Sequence, residues 1–358
     1  MALDIVRYRL HNQLLSQTDI TEPAEVVKRL GAVQAQDYAG GKWALGLRMR
    51  SATDAALDQA FNEGKFLRTH ILRPTWHFVT PQDIRWMLSL SAPRVHAVNG
   101  FMYRQQGLDR EIIQKSYRVL ENILEGNQHL TRTELGSAFE KAGIKNAEGM
   151  RLSYFMMSAE LDGIICSGPR RGKQFTYSLL EERAPKVKLL GREEALAELT
   201  RRYFATRGLA TLHDFTWWSG LTMAEAKEGM EAVKSQFVSE EIDGKTYWYD
   251  SSISPVREKS PTAHLLPNYD EYFIGFKDRS AIGEIVRQAG VSGDDPSFLA
   301  NVITLDGQLV GGWKRTLKKN AIQVEFMLVV DLTKAQQRAV EEAASRYGEF
   351  LQLRVERV

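Results

Sequence analysis

Three times along this chain a helical period gives way to a hairpin, and that order limits the folds open to it. In residues 3–15, Leu3, Val6, Leu10 and Leu14 recur at spacings of three and four, as on one face of a helix. Thr21-Glu22-Pro23 reads as a helix start, with threonine as cap and proline in the first turn. Val26, Leu30 and Val33 carry one stripe to about residue 33, and shorter helices are expected over 43–49 and after Thr53. The period then drops to two: 66–72 and 75–79 read as strands around Arg73-Pro74, and Thr80-Pro81 opens the next helix. A second round has helices over 108–124, from Thr131 or Thr133 to 142, and over 148–161. Its hairpin runs from Gly163 to Leu179 around the turn 168–173, with Phe175, Tyr177 and Leu179 alternating as on a half-buried strand. A third round has helices over 193–206, 211–219 and 222–233, with Gly220 where a turn between helices needs it. Strands over 237–242 and 245–249 follow, closed by Asp243-Gly244.

Helices followed by a hairpin is the order of a winged helix-turn-helix. The expected fold is therefore α+β: three tandem winged helix-turn-helix units at 1–105, 106–185 and 190–252, then a β-rich, barrel-like domain at 260–358. That last part shows strand patterns over 301–305, 308–316 and 322–330, a helix over 334–347 and a last strand over 351–355. Linkers are expected at 183–188 and 251–260.

Composition narrows the function. With 43% hydrophobic and 26% charged residues the chain is of ordinary globular type. No apolar run is long enough to span a bilayer, and Met1-Ala2-Leu3-Asp4 has no basic-then-apolar signal pattern. A cytoplasmic location is expected, beside the nucleoid if the source is bacterial. Cys166 is the one cysteine, so no intramolecular disulfide forms, as in a reducing compartment. The net charge is only +2, so a polyanion must be met by local basic patches. None of the seven histidines has zinc-site spacing, and phosphate-loop, dinucleotide and G-x-S-x-G motifs are absent. No metal and no cofactor is expected.

Chemistry is suggested at Gln34-Ala35-Gln36, where the first long helical stripe ends. On a helix, residues two apart point about 200° apart; on an extended chain they share a face. In the second case the two amides converge on a small target such as a water or a base edge. The alternative is two polar residues that merely close a helix. Amides are not strong bases at neutral pH, but they can orient a water. That suffices when the leaving group is already good. An N-alkylated purine carries positive charge, and its glycosidic bond breaks through an oxocarbenium-like sugar that amide dipoles stabilise. Asp37 either adds a carboxylate to that site or caps the following turn. His77 is either a structural strand histidine or, with Trp76, packs beside an extruded base.

Winged helices hold a duplex through a helix in the major groove and a wing on the backbone or minor groove. Arg170, Arg171 and Lys173 at the second hairpin tip, Arg68 and Arg73 at the first, and Lys314, Arg315, Lys318 and Lys319 are the candidates for phosphate contact.

Four stretches resemble one family. They are Gln34-Ala35-Gln36, Arg73-Pro74-Thr75-Trp76-His77, the run from Leu265-Leu266-Pro267-Asn268-Tyr269-Asp270 to Gly275-Phe276-Lys277-Asp278-Arg279, and Asp306-Gly307-Gln308-Leu309-Val310-Gly311-Gly312-Trp313-Lys314-Arg315. Together they are similar to the winged-helix DNA glycosylases of the AlkZ/YcaQ type. The resemblance implies a C-shaped clamp on duplex DNA and excision of alkylated bases, in some members the unhooking of interstrand crosslinks. It implies that Gln34 and Gln36 position the hydrolytic water and transfers no other catalytic residue; Asp37 and His77 remain candidates for catalytic support from their own position in the sequence, and Arg279 joins the DNA-binding candidates. The expected partner is duplex DNA, preferably alkylated, with no membrane and no obligatory protein partner. Two other readings stay open: a non-catalytic winged-helix DNA-binding protein, regulatory or architectural, and a fold whose Gln-x-Gln is structural and whose ligand is not nucleic acid.

Overall fold

A computed structural model of the chain describes residues 3–16, 18–187, 189–255, 260–291 and 301–357. Of the two expected linkers, Lys188 and residues 256–259 lie outside the described residues.

Helices Ile5–Asn12, Pro23–Leu30, Tyr38–Gly46 and Asp54–Asn62 lead to the hairpin Leu67–Ile71 and Thr75–Val79. The stripe expected to stay helical to residue 33 stops at Leu30, because Gly31 follows with a φ of +80°. Only glycine takes that conformation without strain. The chain then extends, and Val33–Gln34 pairs with Thr75–Val79, Val33 opposite Phe78 and Gln34 opposite His77. A strand the sequence did not announce thus completes a three-stranded sheet with Thr75–Val79 at its centre.

The 22-residue helix Ile84–Gln105 connects to the second round. Helices Arg110–Leu124, Arg132–Lys141 and Gly149–Leu161 precede the hairpin Ile165–Ser167 and Thr176–Leu179, with Leu130–Thr131 as its third strand. Thr131 also caps Arg132–Lys141 in a reciprocal box with Glu134. The third round has helices Arg192–Arg207, Leu212–Ser219 and Met223–Val233 and the hairpin Val238–Ile242 and Lys245–Tyr249.

The C-terminal part is a five-stranded sheet in the spatial order Arg354–Arg357, Ala321–Leu328, Gln308–Leu317, Val302–Leu305, Ala263–Leu266. Its last strand in sequence runs parallel to Ala321–Leu328; the other neighbours are antiparallel. The sheet keeps two open edges, so it is half a barrel rather than a closed one. Helix Lys334–Leu351 runs past its expected end at 347 and is closed by Gln352 in the left-handed region, which moves the final strand to Arg354–Arg357.

The cores do not follow chain order. One joins Val26, Leu30, Trp43, Phe61 and Phe78 to Leu265, Trp313, Tyr347 and Phe350, so the first round and the C-terminal sheet share an interior. A second joins Leu67, Leu72, Met87 and Leu88 to Leu199, Tyr203, Phe204, Trp218 and Phe276, so the first hairpin also shares an interior with the third round. A third, with Leu120, Phe139, Phe155, Ile165 and Tyr177, is drawn from the second round, with Tyr103 of the connecting helix packed against it, while Cys166 and Leu180 of that round belong to the second core. No described helix is long and apolar enough to cross a membrane.

Candidate active site

The turn from helix to strand sets the two glutamines. Gln34 is 6% exposed at the end of its short strand. Its backbone N–H donates to Glu271 Oε1 at 2.9 Å, and its side-chain Oε1 accepts from Arg73 Nη2 at 2.9 Å. Arg73 lies in the loop between the two hairpin strands, and burial lowers its pKa. Ala35 prolongs the pairing: its N–H donates to Trp76 O at 2.8 Å and its carbonyl accepts from Arg68 Nε at 3.0 Å. Gln36 follows, exposed, with Oε1 accepting the Trp76 N–H at 3.3 Å. Each amide oxygen is therefore tied to the same hairpin, one through Arg73 and the other through Trp76. Each also keeps a second lone pair and an NH2 group for a small target.

Asp37 stands at the N-cap of Tyr38–Gly46, yet its side chain makes no hydrogen bond to that helix. Its Oδ2 instead accepts from Arg315 Nη2 at 3.1 Å, while Arg315 Nη1 donates to Tyr347 OH at 2.7 Å. The carboxylate beside the glutamines is thus held by the C-terminal sheet. His77 is fully buried, and Nδ1 donates to Thr75 O at 3.0 Å. Burial, and then Arg73, push its pKa down to about 3, so the ring is neutral. Trp76 is packed rather than open: its ring meets the Arg68 guanidinium at 4.2 Å and the His70 ring at 4.3 Å. His70 is held in turn by Nδ1 against the buried carboxylate of Glu160.

The basic residues divide. Arg68 is 8% exposed and lies 4.7 Å from the Phe175 ring as well as on Trp76; burial pushes its pKa down to about 10. Arg170 turns inward too, with Nη1 3.4 Å from Asp58 Oδ1, Nη2 donating to Lys173 O at 3.0 Å, and its guanidinium 4.8 Å from the Tyr38 ring. Arg279 lies 4.3 Å from the Phe273 ring and donates from Nε to Phe273 O at 2.8 Å. Arg171 reaches out to Glu134 Oε1 and to His129 O, both at 2.7 Å. Glu134 is held near 2 by the Thr131 backbone N–H first and Arg171 second. Lys173 and Lys314 are exposed. The structure thus gathers Arg68, Arg73 and Arg315 around the glutamine segment and leaves Arg171, Lys173 and Lys314 on the surface.

Three residues of this site carry no local sequence signal. Glu271 Oε2 accepts from Arg207 Nη2 at 2.6 Å and from Trp218 Nε1 at 2.9 Å, and all three side chains are fully buried. Glu271 directly follows the Leu265–Asp270 run. Asp270 is itself paired with buried Arg48, through two contacts of 2.8 Å. Among the described residues, no three His, Cys, Asp or Glu side chains converge to hold a metal ion.

A family model for AlkZ-like DNA glycosylases matches residues 27–350, which include every residue of this site. The chain belongs to that family. It is the family that the Gln-x-Gln segment and the three other stretches resemble. A protein of Streptomyces sahachiroi described as an interstrand DNA cross-link repair glycosylase is 21% identical over 322 residues, spanning 87% of this chain and 86% of its own. The solved structure of the Streptomyces sahachiroi DNA glycosylase AlkZ matches with a TM-score of 0.77 at 20% identity, covering 99% of this chain and 98% of that one. The mixed α+β fold with its curled half-barrel sheet is thus shared across the whole length.

Proposed function

We propose that this protein is a monofunctional DNA repair glycosylase that hydrolyses the N-glycosidic bond of cationic, N-alkylated purines in duplex DNA. Gln34 and Gln36 hold the attacking water. The supporting observation is that both amide oxygens are anchored by one hairpin, which fixes two neutral acceptors on a short extended segment. A water between them is oriented without being deprotonated in advance. When the C1′–N bond breaks, its electron pair returns to the purine and cancels the positive charge. The sugar becomes an oxocarbenium ion, which the amide dipoles stabilise together with the carboxylate of Asp37. Water adds to C1′ and releases its proton to solvent, leaving a free base and an abasic site. Neutral, buried His77 takes no part as a base. Lys42, six residues after Gln36, is buried with its amine paired to Asp54 at 2.7 Å and Asp58 at 2.9 Å. Water rather than an amine is the nucleophile here.

In this reading the three helices-then-hairpin rounds, at 1–105, 106–185 and 190–252, are tandem winged helices. With the part at 260–358 they form a clamp, and Arg171, Lys173 and Lys314 hold the phosphates. The relative described as a cross-link repair glycosylase supports crosslinked purines as further substrates. A base tethered to both strands cannot be flipped fully into a deep pocket, the usual glycosylase strategy. The reading is tested by incubating the protein, without metal or nucleotide, with a duplex carrying one N7-alkylguanine. An abasic site cleavable by alkali is expected. Salt-dependent duplex binding without excision would leave a DNA-binding protein only.

A further inference from the structure

The Gln-x-Gln segment is held by a buried ion pair whose two members come from far along the chain. Arg207 ends the helix Arg192–Arg207, and Glu271 opens the short helix Glu271–Ile274. The pair grips the helix-to-strand turn on both sides. Arg207 Nη1 donates to Leu30 O at 3.0 Å, the last carbonyl of the helix before the turn. Glu271 Oε1 accepts the Gln34 N–H at 2.9 Å, at the end of the strand after it. Trp218 closes over the pair, and Arg207 Nε stays buried without a hydrogen-bond partner among the described residues. Trp218 Nε1 donates to Glu271 Oε2 at 2.9 Å, and the Arg207 guanidinium lies 4.2 Å from the Trp218 ring. Gly275 gives the pair room, since a Cβ there would lie 2.4 Å from Glu271 O and 3.2 Å from Arg207 Nε.

We infer that Glu271 is a positioning residue for excision: its carboxylate, locked by Arg207 and Trp218, fixes the backbone of Gln34 and so the direction of the Gln34 amide. The inference rests on the proposed role of Gln34 in holding water. The carboxylate receives a different donor at each oxygen. One oxygen faces the third round and the other faces the active segment, so the third round sets the geometry of the glutamines without touching the reacting atoms. Arg73 acts from the other end, on the side-chain oxygen of Gln34.

Removing the carboxylate alone strands Arg207 as a buried unpaired charge and can unfold the protein. Two other variants avoid that. Glu271→Asp keeps the charge pair but shortens the reach to Gln34. Glu271→Met combined with Arg207→Met removes both charges and the acceptor for the Gln34 N–H while conserving volume. For each, thermal midpoint, duplex affinity, single-turnover excision of an N7-alkylguanine and hydrogen exchange of the Gln34 amide are measured. The expectation is a midpoint and a duplex affinity close to wild type, faster exchange at Gln34, and an excision rate lower by about 100-fold in the double variant, the size of effect a displacement near 1 Å produces. Glu271→Asp should fall between the double variant and wild type. A folded double variant that excises at the wild-type rate would overturn the inference, as would unchanged protection of the Gln34 amide. If Gln34→Ala itself excises normally, the water-holding role of Gln34 fails instead, and the exchange data still report whether Glu271 holds the segment.

Discussion

The first and second hairpins follow helices in the same order, but they stand in opposite surroundings. The second, Ile165–Ser167 with Thr176–Leu179, puts Ile165 and Tyr177 on the core of its own round and Cys166 into the core shared with the third round, and it turns Arg171 and Lys173 outward. The first, Leu67–Ile71 with Thr75–Val79, lies between two cores that also contain the C-terminal sheet and the third round. Its arginines turn inward, Arg68 to Ala35 O and Arg73 to Gln34. A hairpin packed on all sides can hold a neighbouring segment rigidly, whereas one seated mainly on its own round's core leaves its tip free to meet a partner. The same supersecondary unit thus supports the Gln-x-Gln segment in one place and presents exposed cations in the other, according to what packs behind it.

The largest expected effects test that difference in packing. Phe78 is fully buried, with the Phe66 ring at 4.9 Å and the Tyr38 ring at 5.7 Å. Phe78→Ala should remove about 3–5 kcal/mol and speed hydrogen exchange in the first round and the C-terminal sheet together. Phe155→Ala, at a fully buried position in the third core, should lose a similar ~3–5 kcal/mol, but with faster exchange concentrated in 108–179. Exchange that spreads equally from both would mean the second round is not independent.

Acid should act on the shared cores next. His77 and His264 are buried, with pKa values lowered by burial to about 3 and about 4 from the ordinary 6.5. A histidine held neutral in the fold binds its proton more readily when unfolded. Its full stability is therefore present above pH 6.5 and is lost as pH falls toward the folded values. Each should remove about 2 kcal/mol by pH 5, measurable by urea titration at pH 5 and pH 7.5. His77→Leu should reduce that pH dependence by roughly half. A wild type equally stable at both values would contradict neutral burial.

The smallest effect concerns the exposed tip. Arg171→Ala with Lys173→Ala should weaken binding to any duplex and lower the slope of log affinity against log salt by about 0.9 for each phosphate no longer neutralised. Arg170→Ala should leave that slope unchanged, because Arg170 is held against Asp58 and Tyr38. A reduced slope with Arg170→Ala and an unchanged one with the pair would reverse the assignment.

The helices-then-hairpin order was legible because amphipathic periods, caps and turns are local. The Gln-x-Gln segment was legible for the same reason, since a helical stripe visibly ends beside it. The helix end at Gly31 and the strand Val33–Gln34 were not. Pairing to Thr75–Val79, more than forty residues on, decides that the chain extends there. Glu271, Arg207 and Trp218 were hidden more deeply. A buried ion pair between positions 64 residues apart, bonded to a backbone N–H 237 residues from Glu271, leaves no pattern in either neighbourhood. The basic tip misled in part: Arg170 and Arg171 are adjacent in sequence, but one faces Tyr38 and the other Glu134.

The account depends most on the two glutamines acting in chemistry rather than in binding. The direct test is single-turnover excision of an N7-alkylguanine from a duplex by wild type, Gln34→Ala and Gln36→Ala, with duplex affinity measured for each. The account predicts that each substitution abolishes excision, or slows it by about 100-fold or more, with affinity nearly unchanged. Excision and affinity falling by the same factor would contradict it and make the Gln-x-Gln segment part of the DNA grip.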